Sequence, residues 1–165
     1  MTHLSSYFNT RVSRVLLFVI LTLCLPAIVL AQTNKKRATA EEPIFKEYRG
    51  VQIGWLADDV RKKLGDPASK GDEQDFYMFG EKETAQFQYD KATKKVVAIS
   101  VDFVNGASTV LTPQQVFGAD IEAKPDGSKY RLIRYPKAGY WLSYSRTAGD
   151  TPIVTVTIQK ILSPQ

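Results

Sequence analysis

The chain has one cysteine and one histidine in 165 residues, Cys24 and His3, and both precede position 32. From Gln32 onward there is no disulfide, no thiol nucleophile, no imidazole base and no soft metal ligand. That excludes a Ser-His-Asp arrangement and most zinc chemistry. It also excludes a disulfide scaffold, so the fold must be held by its core. No glycine-rich phosphate loop follows a strand pattern. The formal net charge is +5. No dense basic stripe accompanies it, which argues against nucleic acid as a partner.

What is present begins with Arg11 and Arg14, then an apolar run from Val15 to Leu30 broken only by Thr22 and Pro26. Val29-Leu30-Ala31 closes it with the small residues that a signal peptidase reads. The pattern predicts a secretory signal peptide over 1–31 and an exported protein, periplasmic or secreted. Retention as a membrane anchor is the alternative, but the run is near the lower length limit for a span and Pro26 interrupts it. Leu21-Thr22-Leu23 lacks the small residues that precede a lipid-attachment cysteine, so Cys24 is not expected to carry lipid. Cleavage would leave 134 residues at net charge +3, the size of one domain or of two very small ones sharing a core. No membrane span is expected after cleavage.

Residues 32–43 are polar and without period, and read as a flexible linker. Gly54–Pro67 then predicts a short amphipathic helix. Leu56, Val60 and Leu64 recur on one face, Asp58 and Asp59 sit at its start, Arg61, Lys62 and Lys63 at its end, and Gly65 and Pro67 stop it. Strand patterns follow. In Thr84–Asp90, Ala85, Phe87 and Tyr89 face one way and Gln86 and Gln88 the other. Lys95–Phe103 is β-branched, with Val97, Ile99, Val101 and Phe103 assigned to one face. Thr112-Pro113-Gln114-Gln115 starts a second helix through a capping box, and Gly118 keeps it short. Three further strands are expected over Tyr130–Tyr135, Tyr140–Ser145 and Ile153–Ile161.

The order repeats. Phe87 matches Leu142, Tyr89 matches Tyr144, and Val60 and Val116 stand 56 residues apart, as do Ala85 and Trp141. A shared period argues for duplication, with a first repeat over 44–103 and a second over 104–165. The expected fold class is α+β: two tandem helix-plus-antiparallel-β-meander units, with helices packed on one face of the sheets.

Paired carboxylates are the remaining catalytic option, and Asp58-Asp59 and Asp72-Glu73 with Asp75 are the candidate acidic clusters for it. The first complements a helix dipole. The second reads as a solvated loop. The stronger functional signal is aromatic: Trp141 takes the parity opposite to Tyr140, Leu142 and Tyr144, beside Ser143 and in line with Gln86 and Gln88. A large ring on a polar sheet face suits contact with another protein. The expected binding residues are therefore Trp141, Gln86, Gln88 and Ser143, with no catalytic residue, metal or cofactor.

The pattern Gly-x-x-x-x-x-Val-x-x-x-Leu-Gly-x-Pro over residues 54–67, followed by an aromatic strand and a hairpin into a β-branched strand, resembles the SmpA/OmlA (BamE-like) small envelope domain. Two such units in tandem look like the β-lactamase inhibitor protein architecture. Leu56 stands where that family has a capping Thr. The shared motif is structural, so no functional residue is carried over. The expected function is that of an exported, non-enzymatic module that binds another protein, with an inhibitor among its forms. A scaffold in cell-envelope (outer-membrane) assembly is the alternative, and a hydrolase using paired carboxylates comes third.

Overall fold

Alternation of apolar and polar residues, together with β-branched and aromatic side chains, decides the architecture. The computed structural model describes residues 42–105 and 107–162. The expected signal peptide and nearly all of the expected linker lie outside the described residues.

A two-residue hairpin opens the described chain, β1 (Glu47–Tyr48) against β2 (Val51–Gln52). Its turn is Arg49-Gly50, with φ of 51° and 81°. Helix α1 (Ala57–Leu64) follows, then strands β3 (Ser69–Lys70), β4 (Gln74–Gly80), β5 (Glu83–Tyr89) and β6 (Val96–Phe103). Helix α2 (Pro113–Phe117) precedes β7 (Lys129–Tyr135), β8 (Tyr140–Arg146) and β9 (Val154–Lys160). Seven strands form one sheet in the order β3-β4-β5-β6-β9-β8-β7. Every neighbouring pair is antiparallel. Two meanders, β4–β6 and β7–β9, meet where β6 pairs with β9.

This corrects the expected α+β class. The described molecule is mostly β, and one continuous sheet replaces two sheets with helices packed on them. The helices are too short to form a layer: eight residues of α1 span about 12 Å. Gly65 ends α1 and Gly118 ends α2, both at positive φ. The helical periodicity was real but marked only two brief elements, whereas the strands supply most of the core.

One side of the sheet is apolar. Ala85, Phe87 and Tyr89 of β5, Ile99, Val101 and Phe103 of β6, Val154, Val156 and Ile158 of β9, and Tyr140, Leu142 and Tyr144 of β8 are buried in a single cluster. Val60 and Val116 enter the same cluster from the helices. The capping box of α2 is present, with Thr112 and Gln115 bonding reciprocally.

Two local assignments change. Leu56 is not on the buried stripe: it is 45 % exposed, at the N-cap of α1, and bridges to Lys95. A bulge between β5 and β6 pairs Gln88 with Ala98 but Tyr89 with Val96. The extra residue is Val97, so Val96 is buried in its place. Ala85 lies on the buried side with Tyr140, and Trp141 on the other side with Gln86, as their alternation predicts. Among the described residues no helix is long and apolar enough to cross a membrane.

Candidate functional site

Period-two alternation leaves the other side of the sheet to Gln, Ser and Thr. Cross-strand register sets these side chains in rows. One row runs Arg134, Trp141, Gln159, Ala98, Gln88, Gln74. The next runs Leu132, Ser143, Thr157, Ser100, Gln86, Phe76. The third runs Tyr130, Ser145, Thr155, Asp102, Thr84, Met78. All four expected binding residues fall in the first two rows, on the side away from the core.

The structure brings these residues onto one face but not into one cluster. Trp141 and Ser143 lie on β8; Gln86 and Gln88 lie on β5, three strands away. At about 4.8 Å per strand the two pairs are roughly 14 Å apart. Trp141, Ser143 and Gln86 are half-buried and Gln88 is exposed. Gln86 donates its amide to Gln74 Oε1 at 3.0 Å.

Between the pairs runs the β6–β9 seam, where hydroxyls satisfy one another. Ser100 and Thr157 hydroxyls lie 3.1 Å apart, and Thr155 donates to Asp102 at 2.6 Å. Charge is scarce on this face: Arg134 and Asp102 are the only ionised groups in the three rows, and Asp102 is engaged. The flanks are apolar, with Tyr130 and Leu132 exposed at one end and Met78 at the other. The face therefore has a hydroxyl- and amide-rich centre of low charge with apolar groups at its flanks.

The acidic clusters do not pair for acid–base work. Asp58 and Asp59 are exposed on α1. Asp75, which opens an aromatic strand pattern but is expected to be solvated with Asp72 and Glu73, is fully buried on β4. Arg61 of α1 grips it with two bonds, Nε to Oδ2 at 2.8 Å and Nη2 to Oδ1 at 3.0 Å. Tyr89 donates its hydroxyl at 2.8 Å and the Gly71 amide donates at 3.2 Å. Burial pushes the Asp75 carboxyl up, but the bonds from Arg61, Tyr89 and Gly71 outweigh it and hold the group below the ordinary carboxylate range. The same burial, and the Asp75 charge beside it, push the Tyr89 phenol up. Tyr77, next along the inward side of β4, is pushed up to about 12, chiefly by burial.

A second cluster ties the first hairpin to the sheet. Glu83 of β5 accepts from the hydroxyls of Tyr48 and Thr109 and from Arg49. The Arg49 guanidinium also lies 4.0 Å from the centre of the Phe79 ring. Burial raises Glu83, and the bonds from Thr109, Tyr48 and Arg49 bring it below its usual value.

Both clusters escaped sequence reasoning. Their one trace was an Asp at the inward parity of an aromatic strand, Asp75-Phe76-Tyr77-Met78-Phe79, which a solvated loop residue would not occupy. Every side-chain partner is 14 or more positions away in sequence. Among the described residues no group of three or more His, Cys, Asp or Glu could hold a metal ion. Compared with protein-family models, curated proteins and solved structures, the chain matches none.

Proposed function

We propose that the chain is an exported, non-enzymatic module that binds another protein through the outward face of its seven-stranded sheet. The observation that carries this reading is the face itself. Eighteen residues in three cross-strand rows include only two ionised side chains, and one of those is engaged by Thr155. Trp141 stands in the first row with polar neighbours that can hydrogen-bond outward. Displacing water from such a surface costs little charge desolvation, and the indole supplies contact area. Export is supported by the basic, apolar and small-residue succession over residues 11–31.

The test compares Trp141→Ala with Leu142→Ala by quantitative capture from a periplasmic or secreted fraction, alongside melting curves. Trp141→Ala should lose the captured partner by roughly tenfold or more while its melt is nearly unchanged. Capture that survives Trp141→Ala undiminished refutes this face as the contact surface.

A further inference from the structure

Strand β7 ends the sheet. Its one neighbour among the described residues is β8, so no described strand pairs with the backbone N–H and C=O groups that alternate residues of β7 turn to its other edge. The opposite end of the sheet is blunted by a two-residue strand, β3. A long open edge is either defended against pairing or used for it.

The charges on this edge say which strands it admits. Strands β7, β8 and β9 carry five bases and no acid, while β4, β5 and β6 carry three acids and no base. Three of the five bases, Lys129, Arg131 and Arg134, are on β7 itself. Arg134 is exposed; Arg131 reaches over the Phe117 ring at 5.3 Å; Lys129 sits 3.7 Å from Asp120. A second copy pairing β7 against β7 would set these cations against one another, which disfavours self-association. The same cations favour an acidic strand. The edge is not simply a charged guard, because Tyr130 and Leu132 leave 55 % and 43 % of their surface exposed on it.

We infer that β7 is a docking edge for an extended, acidic segment of a partner protein, which adds to the sheet as an eighth, antiparallel strand. This rests on the chain being a protein-binding module and names the kind of partner segment. The added strand would set alternate side chains beside Tyr130, Leu132 and Arg134, extending the rows that hold Ser145, Ser143 and Trp141. Its other side chains would meet Lys129, Arg131, Ile133 and Tyr135. Register therefore asks for acids opposite Lys129, Arg131 and Arg134, and for apolar or small residues between them.

The probe is a capped peptide, Val-Glu-Val-Ile-Glu-Thr-Glu, titrated into the labelled protein and followed by amide proton–nitrogen correlation spectra. Shifts and new exchange protection should concentrate on β7. The peptide with Lys in place of Glu should bind about tenfold more weakly or worse, and Arg134→Glu should weaken the acidic peptide about fivefold. Methylating alternate peptide nitrogens on the pairing edge deletes donors without changing charge, and should abolish the shifts. Equal binding of the two charge forms, shifts away from β7, no shifts, or undiminished binding of the methylated peptide would each overturn the inference. Peptide binding at β7 that persists in a protein whose partner capture is indifferent to Trp141→Ala would uphold the edge while removing the face.

Discussion

Replacing Asp75 with Asn should cost the fold about 2–4 kcal/mol. The carboxylate is fully buried and receives four bonds, two from Arg61 and one each from Tyr89 and Gly71. Removing one partner of a buried ion pair typically costs about 3–5 kcal/mol, because it strands the other charge. Arg61 keeps 19 % of its side chain exposed and also touches Asp58, so some hydration is recovered and the cost falls at or somewhat below the lower end of that range. For a domain of this size the melting midpoint should fall by about 10 °C. The register supplies a companion test. Asp75 stands opposite Phe87 as Ile133 stands opposite Leu142, so the second meander builds the matching site from hydrocarbon. The triple variant Asp75→Ile, Arg61→Met and Tyr89→Phe removes every charge and stranded hydroxyl at once, and should recover most of the lost stability. The assay is thermal and urea unfolding of the single and triple variants. A harmless Asp75→Asn, or a triple variant no better than the single, would refute the claim that α1 is tied to the sheet by this pair.

Four further outcomes are expected. Asp75 and Glu83 are both held below their usual values, so each stabilises the fold fully above its unfolded pKa and loses that contribution as pH falls through the folded one; melting should drop below about pH 4, and less steeply in Asp75→Asn. Leu142→Ala removes a fully buried side chain and should cost about 2–5 kcal/mol, against under about 1 kcal/mol for Trp141→Ala, read from paired melting curves. Leu56 caps α1 without any side-chain hydrogen bond, so Leu56→Ser should raise the urea midpoint, by about 0.5–1 kcal/mol in stability. Gly118 has φ of 72°, and a Cβ there would lie 2.5 Å from the Ile44 side chain, so Gly118→Ala should destabilise by about 1–2 kcal/mol in the same assay.

Strand positions were legible because burial on one side of a sheet imposes a period of two that little else produces. Ala85-Gln86-Phe87-Gln88-Tyr89 and Tyr140-Trp141-Leu142-Ser143-Tyr144 declared which residues face the core. What the pattern could not reveal was lateral order. Nothing local in Val96–Phe103 or Val154–Lys160 says that these strands pair with each other, so one sheet was read as two. Fold class failed for a related reason. A capping box and a Val-x-x-x-Leu spacing report that a helix starts and which way it faces, not how far it runs. The bulge at Val97 is equally silent, since a strand with one extra residue looks like a longer strand. On the candidate face, parity placed Trp141, Ser143, Gln86 and Gln88 outward. Only cross-strand register could separate them into two pairs.

The sheet's central pair joins strands far apart in the chain: Ala98 meets Gln159 and Phe103 meets Val154. During synthesis β6 emerges well before β9, and until β9 arrives β6 is a β-branched margin whose Ile99 and Val101 have no strand beside them on that edge. In the backbone ladder of the described residues, the hairpin of β7 and β8 joins the first meander only through β9. Assembly is therefore closed by an inner strand, not an outer one, and the interval before closure is when the chain can join to the wrong neighbour. A factor that shields β6 during that interval would raise the yield of folded protein without altering the stability of the finished molecule.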